Sequence, residues 1–295
     1  MNYILLSLSV VSTVTNSALL NVTGKKLGLH STAAKAMFNG IIFAVIVLGI
    51  TVLSGGIRSV TFPTVLFGVI FGIMTAVTNI TTLLSYETGP MNFTVLIVYC
   101  MCILMPTLVG PLVWPDSNPV RIVQWCGVAI LIVSLILGIK SSDGMKFSAK
   151  WLMFVAVAAV TCGSLGIIQQ AHQKSDGRKE MYMMLIIAFA SASLLCFVYA
   201  LISAKFTGEN PVKGMRGVHC AVSAASGVCM GFTNVANLFL SGVLPAVLFF
   251  PVVNGGVVTL SALVSLVLFK EKLNLRQSIG LIMGIASMIL ICGVV

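Results

Sequence analysis

The sequence predicts an all-α integral membrane protein with ten transmembrane helices, built as two inverted five-helix repeats. Three observations lead there. Of 295 residues, 58% are hydrophobic and only 8% are charged, against about 25% charged in an ordinary soluble domain. Apolar stretches long enough to cross the ~30 Å hydrocarbon layer follow one another almost end to end. The pattern of residues 71–90 also returns at 226–245. No water-soluble core hides so much apolar surface, and the strand alternation of a membrane β-barrel is absent.

Taken in order, the spans fall near 3–23, 34–54, 62–84, 91–114, 119–139, 149–170, 182–203, 217–240, 244–269 and 276–294. The first starts at Met1 with neither a basic n-region nor a cleavage site, so it reads as a retained helix rather than a secretory signal. The fourth and ninth are each entered by a proline, Pro90 and Pro245. The third and eighth have the softest boundaries. Between spans lie short polar connectors.

A net charge of +10 raises nucleic-acid binding, but the lysines and arginines sit in short loops, where they orient helices. No nucleic-acid partner is expected. The eight cysteines (100, 102, 126, 162, 196, 220, 229, 292) fall within or at the ends of spans. There they act as small apolar residues rather than a disulfide framework.

The repeat is visible when FGIMTAVTNITTLLSYETGP (71–90) is written above SGVCMGFTNVANLFLSGVLP (226–245). Gly72, Thr78, Asn79, Leu83 and Pro90 fall on Gly227, Thr233, Asn234, Leu238 and Pro245 without a gap. After a two-residue loss, Gln124 and Gly127 align with Gln277 and Gly280; upstream, Thr13 and Asn16 fall on Thr161 and Ser164. The copies are 1–146 and 147–295, together forming one membrane domain. Because five is odd, the second copy inserts upside down, and inverted repeats underlie alternating access in many transporters.

Ten helices as five plus five, prolines entering the fourth and ninth, and the closing FKEKLNLRQSIGLIMGIASMILI (269–291) together resemble the drug/metabolite transporter superfamily, in its EamA-like ten-helix branch. The first-half counterpart PDSNPVRIVQWCGVAILIVSLI (115–136) keeps the Gln and Gly but lacks the Glu. The resemblance implies a secondary transporter of small metabolites, with a central cavity between the two halves. It does not fix the substrate.

Polar residues that share a helical face mark where such a cavity would lie. Thr75, Thr78, Asn79 and Thr82 form one stripe, and Ser223, Ser226, Thr233, Asn234 and Asn237 form another. The first helix adds Ser9, Ser12, Thr13 and Asn16, and the sixth adds Thr161 and Ser164. For any single Ser or Thr the plain alternative is hydrogen-bonded helix packing, worth about 0.6 kcal/mol. A carboxamide costs more to leave unpaired in hydrocarbon. The substrate-binding set expected on these grounds is Asn16, Thr75, Asn79, Tyr99, Ser164, Asn234 and Asn254. Tyr99 joins because it aligns with Asn254.

FFPVVNGGVV (249–258) sets Pro251, Gly255 and Gly256 inside an apolar run. The proline removes a backbone bond and the glycines let the helix loosen one turn later, so a helix break is expected here, with Asn254 at it. The fourth helix would break at Pro106. Packing alone is the plain alternative.

All seven acids (87, 116, 143, 176, 180, 209, 271) lie in loops or at helix ends. An exporter of cationic drugs needs a buried carboxylate; the four-helix relatives carry one in their first helix, and SLSVVSTVTN (7–16) has none. The expected cargo is therefore a small neutral or zwitterionic polar metabolite. Glu87 alone is near enough a helix end to reach a cavity, and its plain reading is an interfacial acid. CMCILM (100–105) hints weakly at a soft-metal path. A non-transporting receptor or scaffold is a further alternative. The three histidines lie at span ends or in loops, no G-x-S-x-G occurs and no span holds an aspartate, so no enzyme is expected. No cofactor, metal or catalytic residue is expected either.

The expected partners are the lipid bilayer of the plasma membrane, crossed many times, and a small-molecule substrate; a homodimer stays open. Orientation follows from charge. Loops 1–2, 5–6, 7–8 and 9–10 hold twelve lysines and arginines, loops 2–3, 4–5 and 6–7 hold five, and basic residues in short loops stay cytoplasmic. Both termini are then outside, whereas the resemblance implies both inside.

Overall fold

The structure, a computed structural model, describes residues 2–26, 31–88, 91–115, 122–138, 148–208, 210–212, 215–268 and 275–292. Among them are ten α-helices and no strand: α1 Asn2–Lys26, α2 Thr32–Leu53, α3 Phe62–Thr88, α4 Met91–Val113, α5 Ile122–Gly138, α6 Ala149–Gln173, α7 Met181–Thr207, α8 Gly217–Val243, α9 Ala246–Leu268 and α10 Leu275–Cys292. A 3-10 turn, Asp176–Glu180, joins α6 to α7. Six helical segments are long and apolar enough to cross a membrane: Asn2–Leu20, Thr32–Leu53, Phe62–Thr82, Ala149–Lys174, Asp176–Thr207 and Gly217–Val243. Shorter apolar stretches occupy Ile97–Val113, Trp125–Ser134 and Leu248–Val257. This is an α-helical membrane protein.

The ends of the helices follow from local chemistry. Ser31 Oγ accepts the Ala34 N–H at 3.4 Å to start α2, and Ser148 Oγ accepts the Trp151 N–H at 3.1 Å to start α6, each satisfying a donor that has no intrahelical partner. At α8 the role falls to His219, whose Nδ1 accepts the Arg216 N–H at 2.8 Å. Helix α7 stops at Gly208, left-handed at φ 69°, a conformation that costs glycine little.

Two compact units emerge. One comprises Tyr3–Ile80 with Ala171–Phe239, the other Thr81–Gln170 with Leu240–Val295. The first therefore holds α1, α2, α7 and most of α3 and α8; the second holds α4, α5, α9, α10 and most of α6. Each unit draws helices from both sequence halves.

In the first unit α2 packs along α7. Phe43, Phe71 and Phe189 fill its core, with ring centroids of Phe43 and Phe189 5.8 Å apart. Close approach depends on glycine. A Cβ on Gly72 would strike the Ala188 carbonyl oxygen and lie 2.9 Å from Ser191 Cβ, while one on Gly227 would lie 3.0 Å from the Ile42 carbonyl oxygen and 2.8 Å from Val45 Cγ1. So α3 rides on α7, and α8 rides on α2, backbone to backbone. Leu48, Leu53, Leu194 and Leu201 point outward and are exposed, as side chains in contact with lipid are.

In the second unit α5 pairs with α10 and α4 with α9. A Cβ on Gly166 would lie 2.5 Å from Phe250 Cε1 and 2.7 Å from Pro106 Cγ, and one on Gly163 would lie 2.7 Å from the Met101 carbonyl oxygen. These two glycines let α6 approach α4 and α9. Trp151 Nε1, buried, donates to Thr94 Oγ1 at 3.0 Å and ties α6 to α4.

Helix α9 carries Pro251, Gly255 and Gly256 inside one continuous helical segment. The helix is unbroken from Ala246 to Leu268 with Pro251 inside it, and α4 likewise continues through Pro106 and Pro111. A proline removes one backbone bond and crowds the carbonyl four residues back, a strain that a kink absorbs without ending the helix, while Gly255 and Gly256 permit unwinding without forcing it. Pro106 and Pro251 are both buried.

Candidate functional site

In the first unit, Gly68, Gly72, Thr75 and Asn79 follow one face of α3, spaced four, three and four residues apart. Its first half lies against α7, where a Cβ on Gly68 would be 3.0 Å from Ile187 Cβ and from the Met184 carbonyl oxygen. On α8, Ser223, Gly227, Met230 and Asn234 keep the same spacing, with Gly227 against α2. Each asparagine thus stands seven residues beyond a glycine contact, on the same face.

The asparagines bond alike. Asn79 Nδ2 donates to the Thr75 carbonyl, Asn234 Nδ2 to the Met230 carbonyl and, in the second unit, Asn254 Nδ2 to the Phe250 carbonyl, each at 2.9 Å. One amide hydrogen is held by the helix four residues back, which fixes the carboxamide, and all three side chains are half-buried. A carboxamide oriented in this way presents an oxygen acceptor and a second N–H donor together.

The first unit also holds buried polar atoms without a hydrogen-bond partner: Asn16 Oδ1 on α1, Thr75 Oγ1 on α3, and Ser223 Oγ and Ser226 Oγ on α8. Thr75 is 3% exposed and both serines 0%. Buried polar groups are nearly always paired, so four within one unit need a physical reason.

Other members of the stripes are helix packing, as the plain alternative had it. Ser9 Oγ donates to Asn237 Oδ1 at 2.6 Å, Ser12 Oγ to the Cys229 carbonyl at 2.9 Å, and Thr13 and Thr233 hydroxyls lie 3.3 Å apart. These sew α1 to α8. Thr78 Oγ1 and Thr161 Oγ1 fold back onto the carbonyls of Met74 and Val157, both at 2.8 Å.

In the second unit Ser164 Oγ donates to the Val160 carbonyl at 2.7 Å, so its hydroxyl is turned to its own helix. Tyr99 is half-buried. Thr107 Oγ1, on α4 and fully buried, has no partner; periodicity had not marked it. The side chains of Lys25, Lys26, Glu87, Gln124 and Gln277, and the whole of Arg121, Lys140, Lys146, Lys213, Lys270 and Lys272, lie outside what the structure describes.

Two arrangements had no local sequence signal. Cys102 Sγ and Cys162 Sγ lie 2.7 Å apart between α4 and α6. The other is a polar chain at the 3-10 turn, where Glu180 Oε2 accepts from the Thr61 N–H at 2.9 Å and from Thr61 Oγ1 at 3.0 Å. Both join residues distant in sequence. Among the described residues, no three His, Cys, Asp or Glu side chains group as a metal site would require.

No known family and no curated protein matches the chain. A solved crystal structure, of a protein described no further, superimposes with a TM-score of 0.73 at 12% identity, covering 97% of this chain and 99% of its own. Identity that low establishes a shared fold, extending over nearly the whole of both chains, and nothing more.

Proposed function

We propose that the protein is a secondary transporter, moving a small neutral or zwitterionic polar metabolite across the plasma membrane by alternating access. The observation that carries this reading is the set of partnerless buried atoms on Asn16, Thr75, Ser223 and Ser226. They accompany oriented carboxamides on Asn79 and Asn234 in the same unit. Leaving a polar group unpaired at membrane depth costs about 1–3 kcal/mol. Water or a polar solute repays that cost, and a scaffold has no use for it.

The cargo class follows from charge. Hydroxyls and carboxamides bind by hydrogen bonding and carry none, so they suit a neutral solute or one whose charges cancel. The inverted repeat belongs to this proposal. Its support is the matched contact of Gly72 with α7 and Gly227 with α2, since α2 and α7 are the counterparts that a five-helix repeat pairs. Membership of the EamA-like branch rests on sequence pattern alone.

The test is a thermal-shift screen of purified protein against amino acids, nucleosides, sugars and amines, followed by counterflow of each stabilising solute in proteoliposomes. One neutral or zwitterionic class should stabilise the protein and exchange. Stabilisation by amines alone would favour the cationic-drug reading. Binding without counterflow would favour a receptor.

A further inference from the structure

In the second unit, two cysteines from different helices meet side chain to side chain. Cys102 Sγ on α4 and Cys162 Sγ on α6 lie 2.7 Å apart, although 60 residues separate them in sequence. Both are half-buried free thiols. Each stands near the middle of its helix, Met91–Val113 and Ala149–Gln173, so the pair lies at membrane depth.

The scaffold brings the two sulfurs together without their help. Trp151 Nε1 ties α6 to Thr94 of α4 at 3.0 Å. Gly163, next to Cys162, has its Cβ position 2.7 Å from the carbonyl oxygen of Met101, next to Cys102. Almost a turn further on, the Cβ position of Gly166 lies 2.7 Å from Pro106 Cγ. Helices α4 and α6 therefore run parallel in one register, with their backbones in contact beside the cysteines. Side chains that already point at one another can be bridged without backbone movement, the condition that a disulfide requires.

The plain alternative is that both cysteines are small apolar fillers. Filling requires no particular partner, and non-bonded carbon atoms settle about 3.5–4.0 Å apart. Two thiols facing each other inside that distance are placed for each other. Cys100, two residues earlier on α4, faces another side of the helix and supplies an internal control. The surroundings are apolar: Val98, Ala158 and Ala159 are buried beside the pair, and Ile97 and Met101 pack on them. None of these neighbours is charged. A reagent that reaches the pair has to be soluble in hydrocarbon, because a polar one loses its hydration on the way.

We propose that Cys102 and Cys162 form a dithiol site that an apolar hydroperoxide, of the kind an oxidised acyl chain carries, converts to a disulfide between α4 and α6. One thiol attacks the terminal peroxide oxygen. Its S–H bond and the O–O bond break, an S–O bond forms, and its proton goes to the departing alkoxide, leaving a sulfenic acid and an alcohol. The second thiol attacks that sulfur. The S–O bond breaks, the S–S bond forms, and the second proton leaves with the hydroxide as water. Two electrons pass from the sulfurs to the peroxide. A resolving thiol already in contact consumes the sulfenic acid before it oxidises further. The site does not rest on the transport reading.

The test treats purified full-length protein in lipid nanodiscs with cumene hydroperoxide and maps disulfides by mass spectrometry of unreduced peptides. The wild type should yield α4 and α6 peptides joined at Cys102 and Cys162, and two fewer thiols should alkylate after denaturation. Cys102→Ala and Cys162→Ala should each abolish the joined peptides, and in at least one of them dimedone should trap a sulfenic acid on the surviving cysteine. Cys100→Ala should react as the wild type does, which separates loss of the pair from a general effect of replacing a cysteine in α4. Hydrogen peroxide at equal concentration should act about tenfold more slowly or worse, since it is polar and the pair lies in hydrocarbon. Folded wild-type protein that gives no Cys102–Cys162 link, or that links either cysteine preferentially to another, overturns the site. Equal rates with the two peroxides overturn the apolar oxidant.

Discussion

Gly72 of α3 and Gly227 of α8, 155 residues apart, make the same contact: each lets its helix lie against a backbone carbonyl of a neighbour, Ala188 on α7 and Ile42 on α2. The accompanying side chains also correspond, Ser191 and Val45 each standing three residues after the carbonyl. Neither site has room for a Cβ, which would meet the Ala188 carbonyl at the first and the Val45 side chain and Ile42 carbonyl at the second. Gly72→Val and Gly227→Val should each destabilise the protein by about 1–3 kcal/mol, the usual cost of forced overpacking. Gly49, with nothing within 4 Å of its Cβ position, supplies the control, and Gly49→Val should leave thermal unfolding in detergent nearly unchanged. Equal melting of all three variants would show that the glycine contacts are not needed.

Asn79 and Asn234 carry the binding argument. Leucine keeps the branched shape, with methyl groups in place of the amide oxygen and nitrogen, and has no hydrogen-bonding group, so Asn79→Leu and Asn234→Leu should remove recognition while preserving the fold. We expect loss of solute-induced stabilisation and of counterflow, a fall of about tenfold or more in affinity, as befits a lost hydrogen bond to a buried polar ligand. Expression and melting of the unliganded protein should hold. Unaltered transport by both variants would remove these residues from the site.

The fold was readable because membrane helices announce themselves locally. The seventh span, expected at 182–203, is Met181–Thr207, and the second, expected at 34–54, is Thr32–Leu53. The softer third and eighth run four and three residues past their expected ends, to Thr88 and Val243, since serine and threonine continue a helix once their hydroxyls bond to it. Partners were less readable. Periodicity put Ser9, Thr13, Thr233 and Asn237 on polar faces without saying that the faces meet each other. His172 and Thr64 are 108 residues apart, and no local pattern joins them. Helix α9 stays helical through Pro251, Gly255 and Gly256, since propensity is a weak constraint on a helix packed on its neighbours.

Gly166 seats α6 against Phe250 and Pro106, one turn of α9 before Asn254. Gly166→Ala places a methyl 2.5 Å from the Phe250 ring, so it should lower stability by about 1–3 kcal/mol. Phe250→Leu removes the ring edge that collides. In a double-mutant cycle the pair should couple favourably, by at least 0.5 kcal/mol, as contacting residues do. Additive melting shifts would mean that the methyl is accommodated by movement of Pro106 instead.

Charge also predicts which face of the membrane each connector occupies. Twelve basic residues lie in the connectors α1–α2, α5–α6, α7–α8 and α9–α10 and their flanks, and five in the rest. Basic residues near short loops are retained on the cytoplasmic side, so the α6–α7 connector should face outward and the α7–α8 connector inward. Lys179 and Arg216, one in each and both exposed, report on this. With the exposed Cys126 and Cys220 replaced by serine, Lys179→Cys should react with a membrane-impermeant maleimide in intact cells. Arg216→Cys should react only after permeabilisation. The reverse pattern would invert the protein and give it the topology that the EamA-like resemblance implies.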